Sequence, residues 1–179
     1  DAWDETPDSI KRHLLSGTKE TENMSIEEYE QEYRIKGGQK FTPCEYHVEA
    51  DMSQAAFFLV GNAIGGDIES LGLNTKSRQG DKEIINIVHS FAKSGTAFNV
   101  DATQIPDLVP IMTVLACFAN GTSHIYGCER LRIKESDRLA TITEELNKLG
   151  ADVSIVDDSL YINGVRKLRG GECFAHTDH

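Results

Sequence analysis

No run in this chain of 179 residues approaches eighteen apolar residues, so no segment reads as a membrane-spanning helix. The start, Asp1-Ala-Trp-Asp-Glu-Thr6, is acidic and lacks a signal-peptide pattern. It also lacks an initiator methionine, as expected of a fragment or trimmed chain. Lys and Arg number 18 against 29 Asp and Glu, and the formal net charge of −11 argues against a nucleic-acid footprint. A small anionic substrate is still compatible, because a local basic pocket can sit within an acidic surface. Only four cysteines occur, and none of Cys44, Cys117, Cys128 and Cys173 forms a C-x-x-C pair, so zinc and redox motifs are unsupported. With no secretion signal, reduced thiols in the cytoplasm are expected, with Cys117 packed as a small hydrophobe in its apolar run. No glycine-rich loop of the Walker or dinucleotide type is present. His176-Thr-Asp-His179 is a candidate for metal, but no further ligand cluster supports it and no metal is expected.

What the chain does have is a repeat. Residues 1–30 are polar and acidic, with a short helix expected over 9–15. The stretch from Tyr33 to Thr42 reads as two short strands around Gly37-Gly38; its lysines leave an anion-cradling loop as the other reading. From residue 48 the pattern is regular. Asp51 opens an apolar helical run, Ala55 to Val60, followed by a strand at 67–71. A helix over 83–93 stops near Gly95, and a strand follows at 97–101. Fifty-six residues after Asp51, Asp107 opens a second apolar run, 108–119. A strand at 123–126 follows, then a helix from about Glu135 to Leu149. Strands at 152–156 and 160–163 turn on Asp157-Asp158. Duplicated units of about 55 residues signal repeated supersecondary structure. A third aspartate, Asp178, follows another strand-like stretch and marks the start of a third unit. Aspartates at equivalent helix starts suit N-caps, and helix N-termini gathered at one cleft favour anions.

The charged stretch Arg132-Ile-Lys-Glu-Ser-Asp-Arg138 stands at the start of the last helix. On a helix, Lys134, Glu135 and Arg138 share a face, and two cations with a carboxylate suit an anion site that moves a proton. The same spacing also suits an ordinary ion-paired first turn. Two cations and a helix start favour a charged Glu135, so a general-acid role would need burial or a neighbouring carboxylate. Asp107, between Pro106 and Pro110, reads locally as an N-cap, and an N-cap can also face a cleft.

"LRIKESDRLATITEELNKLGADV" resembles the C-terminal signature of the 5-enolpyruvylshikimate-3-phosphate synthase family. "IKGGQKF" at 35–41, "VEADMSQAAFFLVGNAI" at 48–64 and "FAHTDH" at 174–179 are similar to further family segments. The resemblance implies an α/β enolpyruvyl transferase-like fold of α+β repeats. Its units are βαβαββ, arranged as an inside-out α/β barrel that is incomplete here. Residues 1–47 would be the end of the N-terminal domain and its crossover. Residues 48–179 would be the C-terminal domain, two repeats plus the start of a third. The implied reaction transfers the enolpyruvyl group of phosphoenolpyruvate to the 5-hydroxyl of shikimate 3-phosphate and releases phosphate. It implies no cofactor, no metal, no nucleic-acid or membrane partner, and a cytoplasmic monomer. By position, Asp107 would be the general base at the attacking hydroxyl. Glu135 would move the proton at the methylene carbon. Lys134 and Arg138 would bind the phosphoenolpyruvate anion, Arg138 through a carboxylate fork, with His179 near the same group. Ala50 replaces a common family glycine, Cys128-Glu-Arg130 departs from some members, and the family's other cleft residues lie outside this chain. The fragment alone is therefore expected to be inactive. The alternatives are a UDP-N-acetylglucosamine enolpyruvyl transferase and a non-catalytic anion-binding repeat module.

Overall fold

A computed structural model describes residues 37–40 and 42–178. The chain divides into two compact units, Asp1–Tyr46 and His47–His179. In the first, Gly37 and Gly38 form a turn, with Gly38 in the left-handed region at φ 73°. No strand flanks that turn among the described residues. The helix expected at 9–15 lies outside the described residues.

The second unit alternates helices and strands. Helix α1 (Met52–Ala63) is capped by Asp51, whose carboxylate accepts from the Ser53 and Gln54 amides at 2.8 and 3.5 Å. It buries Met52, Ala55, Ala56 and Val60, the spacing of one helical face. Helix α2 (Glu83–Ser94) buries Ile84, Ile87 and Phe91 and ends at Gly95, whose φ of 60° a side chain would disfavour. Strand β1 (Asn99–Asp101) leads to a 3-10 turn at Pro106–Leu108 and helix α3 (Val109–Cys117). Seven of the nine α3 residues are buried, so this helix is the centre of the core, touching α1, helix α4 (Arg138–Lys148) and the sheet. Cys117 packs there as expected, its thiol pushed up to about 11 by burial. Strands β2 (Thr122–Tyr126), β3 (Asp152–Val156) and β4 (Ser159–Asn163) complete one sheet in the order β1-β2-β4-β3. β1 and β2 are parallel, while β4 runs antiparallel to β2 and β3. Period-2 alternation turns Ile125, Val153, Leu160 and Ile162 into the core. The other face carries His124 stacked on Tyr161, ring centroids 4.3 Å apart.

Three expectations are corrected. Residues 67–71 form no strand. The Asn62 side chain brackets the Ile68 backbone at both N and O, but among the described residues no neighbouring strand pairs with this segment. After α2 the chain passes straight to β1, with no hairpin of the kind β3 and β4 make. The strand-like stretch before Asp178 also forms no strand. Its polar groups meet the end and side of α4 instead, as in Arg169 N to Leu149 O at 2.7 Å and Phe174 N to Glu145 at 3.0 Å. Finally, α4 begins at Arg138, not near Glu135, because Asp137 caps it by accepting from the Ala140 amide at 3.1 Å. A 3-10 helix, Glu129–Ile133, precedes it, and Lys134 has extended backbone. Lys134 and Glu135 are thus on a connecting loop and do not share a helix face with Arg138.

Candidate active site

The starts of α1, α3 and α4 border a cleft of about 500 Å³ lined by Gln54, Asp107, Lys134, Glu135, Arg138 and Asp178. Asp107 does not act as an N-cap: no side-chain cap bond is made at the start of the 3-10 turn or of α3. Pro106 occupies the first helical position, where no amide needs a partner. The Asp107 carboxylate instead accepts from Lys134 Nζ and Arg138 Nη1, each at 3.1 Å. Arg138 also donates through Nη2 to Glu135 at 2.9 Å. So Asp107, Lys134, Glu135 and Arg138 meet, although they come from two turns and a loop.

The expected fork of Arg138 has an occupant already. Its Nε and Nη2 grip the Asp178 carboxylate at 2.9 and 2.7 Å, and Ser136 Oγ adds a third bond to it at 2.6 Å. Only 14% of the Arg138 side chain and 15% of Asp178 are exposed, so this is the most shielded ion pair of the cleft. The bond to Asp178, and then its charge, hold the guanidinium above its usual value against the opposing effect of burial. The sequence reading took Asp178 as a helix start and as part of the His176–His179 metal candidate and missed this pairing; its place beside His179 in the "FAHTDH" segment was the available signal. His179 itself lies outside the described residues. Asp81, also missed, sits near the same end. Burial raises its carboxyl above the usual range, and the charges of Asp107 and Asp51 push the same way.

His176 and Asp178 do not converge on one point: His176 Nε2 lies 2.8 Å from Glu145 Oε1. Glu144, Glu145 and His176 do offer three ligand atoms within 4.8 Å of one another. Lys148 Nζ already sits 2.7 Å from both glutamates and supplies the local cation. The bond from Lys148, followed by those from His176 and the Phe174 amide, holds Glu145 down to about 2.

The family model for EPSP synthase (3-phosphoshikimate 1-carboxyvinyltransferase) matches residues 20–179. The chain belongs to the EPSP synthase family. A 3-phosphoshikimate 1-carboxyvinyltransferase of Clostridium perfringens (strain SM101 / Type A) is 44% identical over 165 residues, covering 83% of this chain and 38% of the relative. One of Clostridium novyi (strain NT) is 40% identical over 190 residues, covering 98% and 42%. The solved EPSP synthase of Acinetobacter baumannii superposes with a TM-score of 0.61 at 24% identity, covering 82% of this chain and 42% of that one. That likeness supports the expected fold class, a partial enolpyruvyl transferase fold. The chain spans about two fifths of the length of these curated relatives. Among the described residues no helix is long and apolar enough to cross a membrane.

Proposed function

We propose that this chain supplies the acid–base half of a cleft that transfers the enolpyruvyl group of phosphoenolpyruvate to the 5-hydroxyl of shikimate 3-phosphate. The observation that carries the reading is one guanidinium, Arg138, holding Asp107 on Nη1 and Glu135 on Nη2 at the edge of a cleft. The addition forms a bond from the hydroxyl oxygen to C2 of phosphoenolpyruvate and places a proton on C3. Asp107 takes the hydroxyl proton as the oxygen attacks, and Glu135 gives the proton to the methylene carbon. In the second step the C2–O bond to phosphate breaks, Glu135 recovers the C3 proton, and the double bond re-forms. Lys134 and Arg138 stabilise the anion where charge gathers, and His179 is assigned beside the same group.

Three carboxylates of the cleft face two cations, and Arg138 engages all three. A phosphorylated, carboxylated substrate needs more positive charge than that, which supports a second half of the cleft on another part of the enzyme. The first unit is accordingly proposed as the end of the N-terminal domain and its crossover. The cytoplasm as compartment and the monomer as working form belong to the same proposal.

The test is phosphate release from phosphoenolpyruvate by the chain alone and by the chain joined to the preceding portion of the Clostridium perfringens relative. Each is offered shikimate 3-phosphate or UDP-N-acetylglucosamine. Release is expected only from the joined enzyme and only with shikimate 3-phosphate. Glu135→Gln should cut it on the order of 100- to 10,000-fold. No release from the joined enzyme would overturn the reading in favour of an anion-binding module. Release with the sugar nucleotide would overturn the acceptor.

A further inference from the structure

The loop that carries Lys134 and Glu135 has little packing of its own. Ile133, which ends the 3-10 helix before it, is 84% exposed, and regular helix begins only at Arg138. Its placement beside Asp107 therefore depends on polar ties. Arg132 makes three of them. Nε donates to Asp158 Oδ1 at 2.6 Å, Nη2 to the Asp157 carbonyl at 2.6 Å, and Nη1 to Asp137 Oδ2 at 3.2 Å. Asp137 is the N-cap of α4, so the last bond joins the two ends of the loop. Asp157 and Asp158 form the turn between β3 and β4, with Asp157 at φ 53°. The same turn accepts the Cys128 amide through the Asp158 carbonyl at 3.2 Å. The hairpin thus holds the Glu129–Ile133 helix at both ends.

We propose that Arg132 is a positioning residue: its guanidinium staples the Lys134–Glu135 loop to the hairpin turn and to the cap of α4, fixing Glu135 beside Asp107 at the Arg138 guanidinium. A planar fork can meet three acceptors on two sides at once, which a lysine ammonium on a flexible stem reproduces poorly. Half-exposed ion pairs add little to global stability, so the staple acts on position more than on folding. The consequence for catalysis rests on the reaction proposed above; the consequence for the loop does not.

Two readouts test it, on Arg132→Ala, Arg132→Lys, Asp158→Asn and the Arg132→Ala/Asp158→Asn pair. In the 179-residue chain, backbone relaxation at residues 133–137 is expected to fall from order parameters near ~0.85 to below ~0.6 in Arg132→Ala. The interior of α4 and the Tm should hold. In the joined enzyme, kcat should fall on the order of 100-fold, the scale of an ångström-level misplacement. KM for shikimate 3-phosphate should change less than about twofold. Arg132→Lys should restore part of the loss, Asp158→Asn should lower kcat in the same direction, and the pair should be no worse than Arg132→Ala, as for residues acting through one contact. An unchanged loop, or a loosening spread over the whole chain with a lower Tm, would overturn the proposal. If the joined enzyme with Arg132 intact shows no turnover, the proposed reaction fails, and the relaxation result alone decides the staple.

Discussion

Asp51 and Asp107 open corresponding helical runs of the two repeats, fifty-six residues apart, and they do opposite things. Asp51 turns inward on its own helix and satisfies two amides of α1. Asp107 leaves its helix uncapped and reaches Lys134 and Arg138, 27 and 31 residues away. The difference has a local origin and a distant one. Pro106 removes one amide that a cap would serve, and the two cations arrive from the loop and start of α4. In the first repeat the loop before α2 engages Glu49 instead, through Asn74, Ser77 and Gln79. A repeat can therefore keep its helix-start carboxylate and change its job, provided a partner is brought to it.

The largest expected effects break this comparison directly. Asp107→Asn should lower turnover of the joined enzyme on the order of 100- to 10,000-fold with little change in Tm. Asp51→Ala should do the reverse, costing about 1 kcal/mol of stability as a lost cap, checked by urea denaturation. Equal stability losses at the two sites would show that Asp107 is a structural group after all.

A second pair sharpens the contrast. Asn62 brackets the backbone of Ile68, and Asn147 brackets Val153 in the same way, each six residues on, with both the N–H and the C=O engaged. The devices match, but β3 goes on to pair with β4 while residues 67–71 stay unpaired. Asn147→Ala should leave partly buried groups of a paired strand unmet and cost about 1–3 kcal/mol. Asn62→Ala, at an exposed segment, should cost about 0.5–1.5 kcal/mol or less.

The smallest effect concerns the C-terminal segment on α4. Glu145 is held down to about 2, chiefly by Lys148, then by His176 and the Phe174 amide. A depressed carboxyl contributes its stabilisation fully above its unfolded value near 4.5 and loses it as pH falls through about 2. The Phe174 amide signal should therefore hold its position through the ordinary carboxylate range around pH 4.5 and move only as the pH approaches about 2. In Glu145→Gln that transition should be missing.

Much of this was legible from residue order. The apolar spacing marked α1, α2 and α3, Gly95 marked the stop of α2, and Asp157-Asp158 marked the last turn. The set Asp107, Lys134, Glu135 and Arg138 was also named beforehand, partly through family resemblance. The rest was hidden for identifiable reasons. Ile68 and Leu71 look like strand residues, yet with no partner strand among the described residues they stay 45% and 77% exposed. Arg132 looked like one more charge in a charged stretch, because its three acceptors lie at Asp137, Asp157 and Asp158. Asp178 looked like a cap because nothing near it in sequence announces Arg138.

By itself, the sequence determined where helices form and stop, since side-chain periodicity, capping and glycine conformation act within a few residues. Only the tertiary structure decided which extended segments became strands and where each charge was spent. A strand needs a partner's backbone, and an ionised side chain takes the strongest acceptor within reach. For Arg132 and Arg138 the acceptors Asp158, Asp107 and Asp178 lie 26, 31 and 40 residues away, beyond what any local pattern can carry.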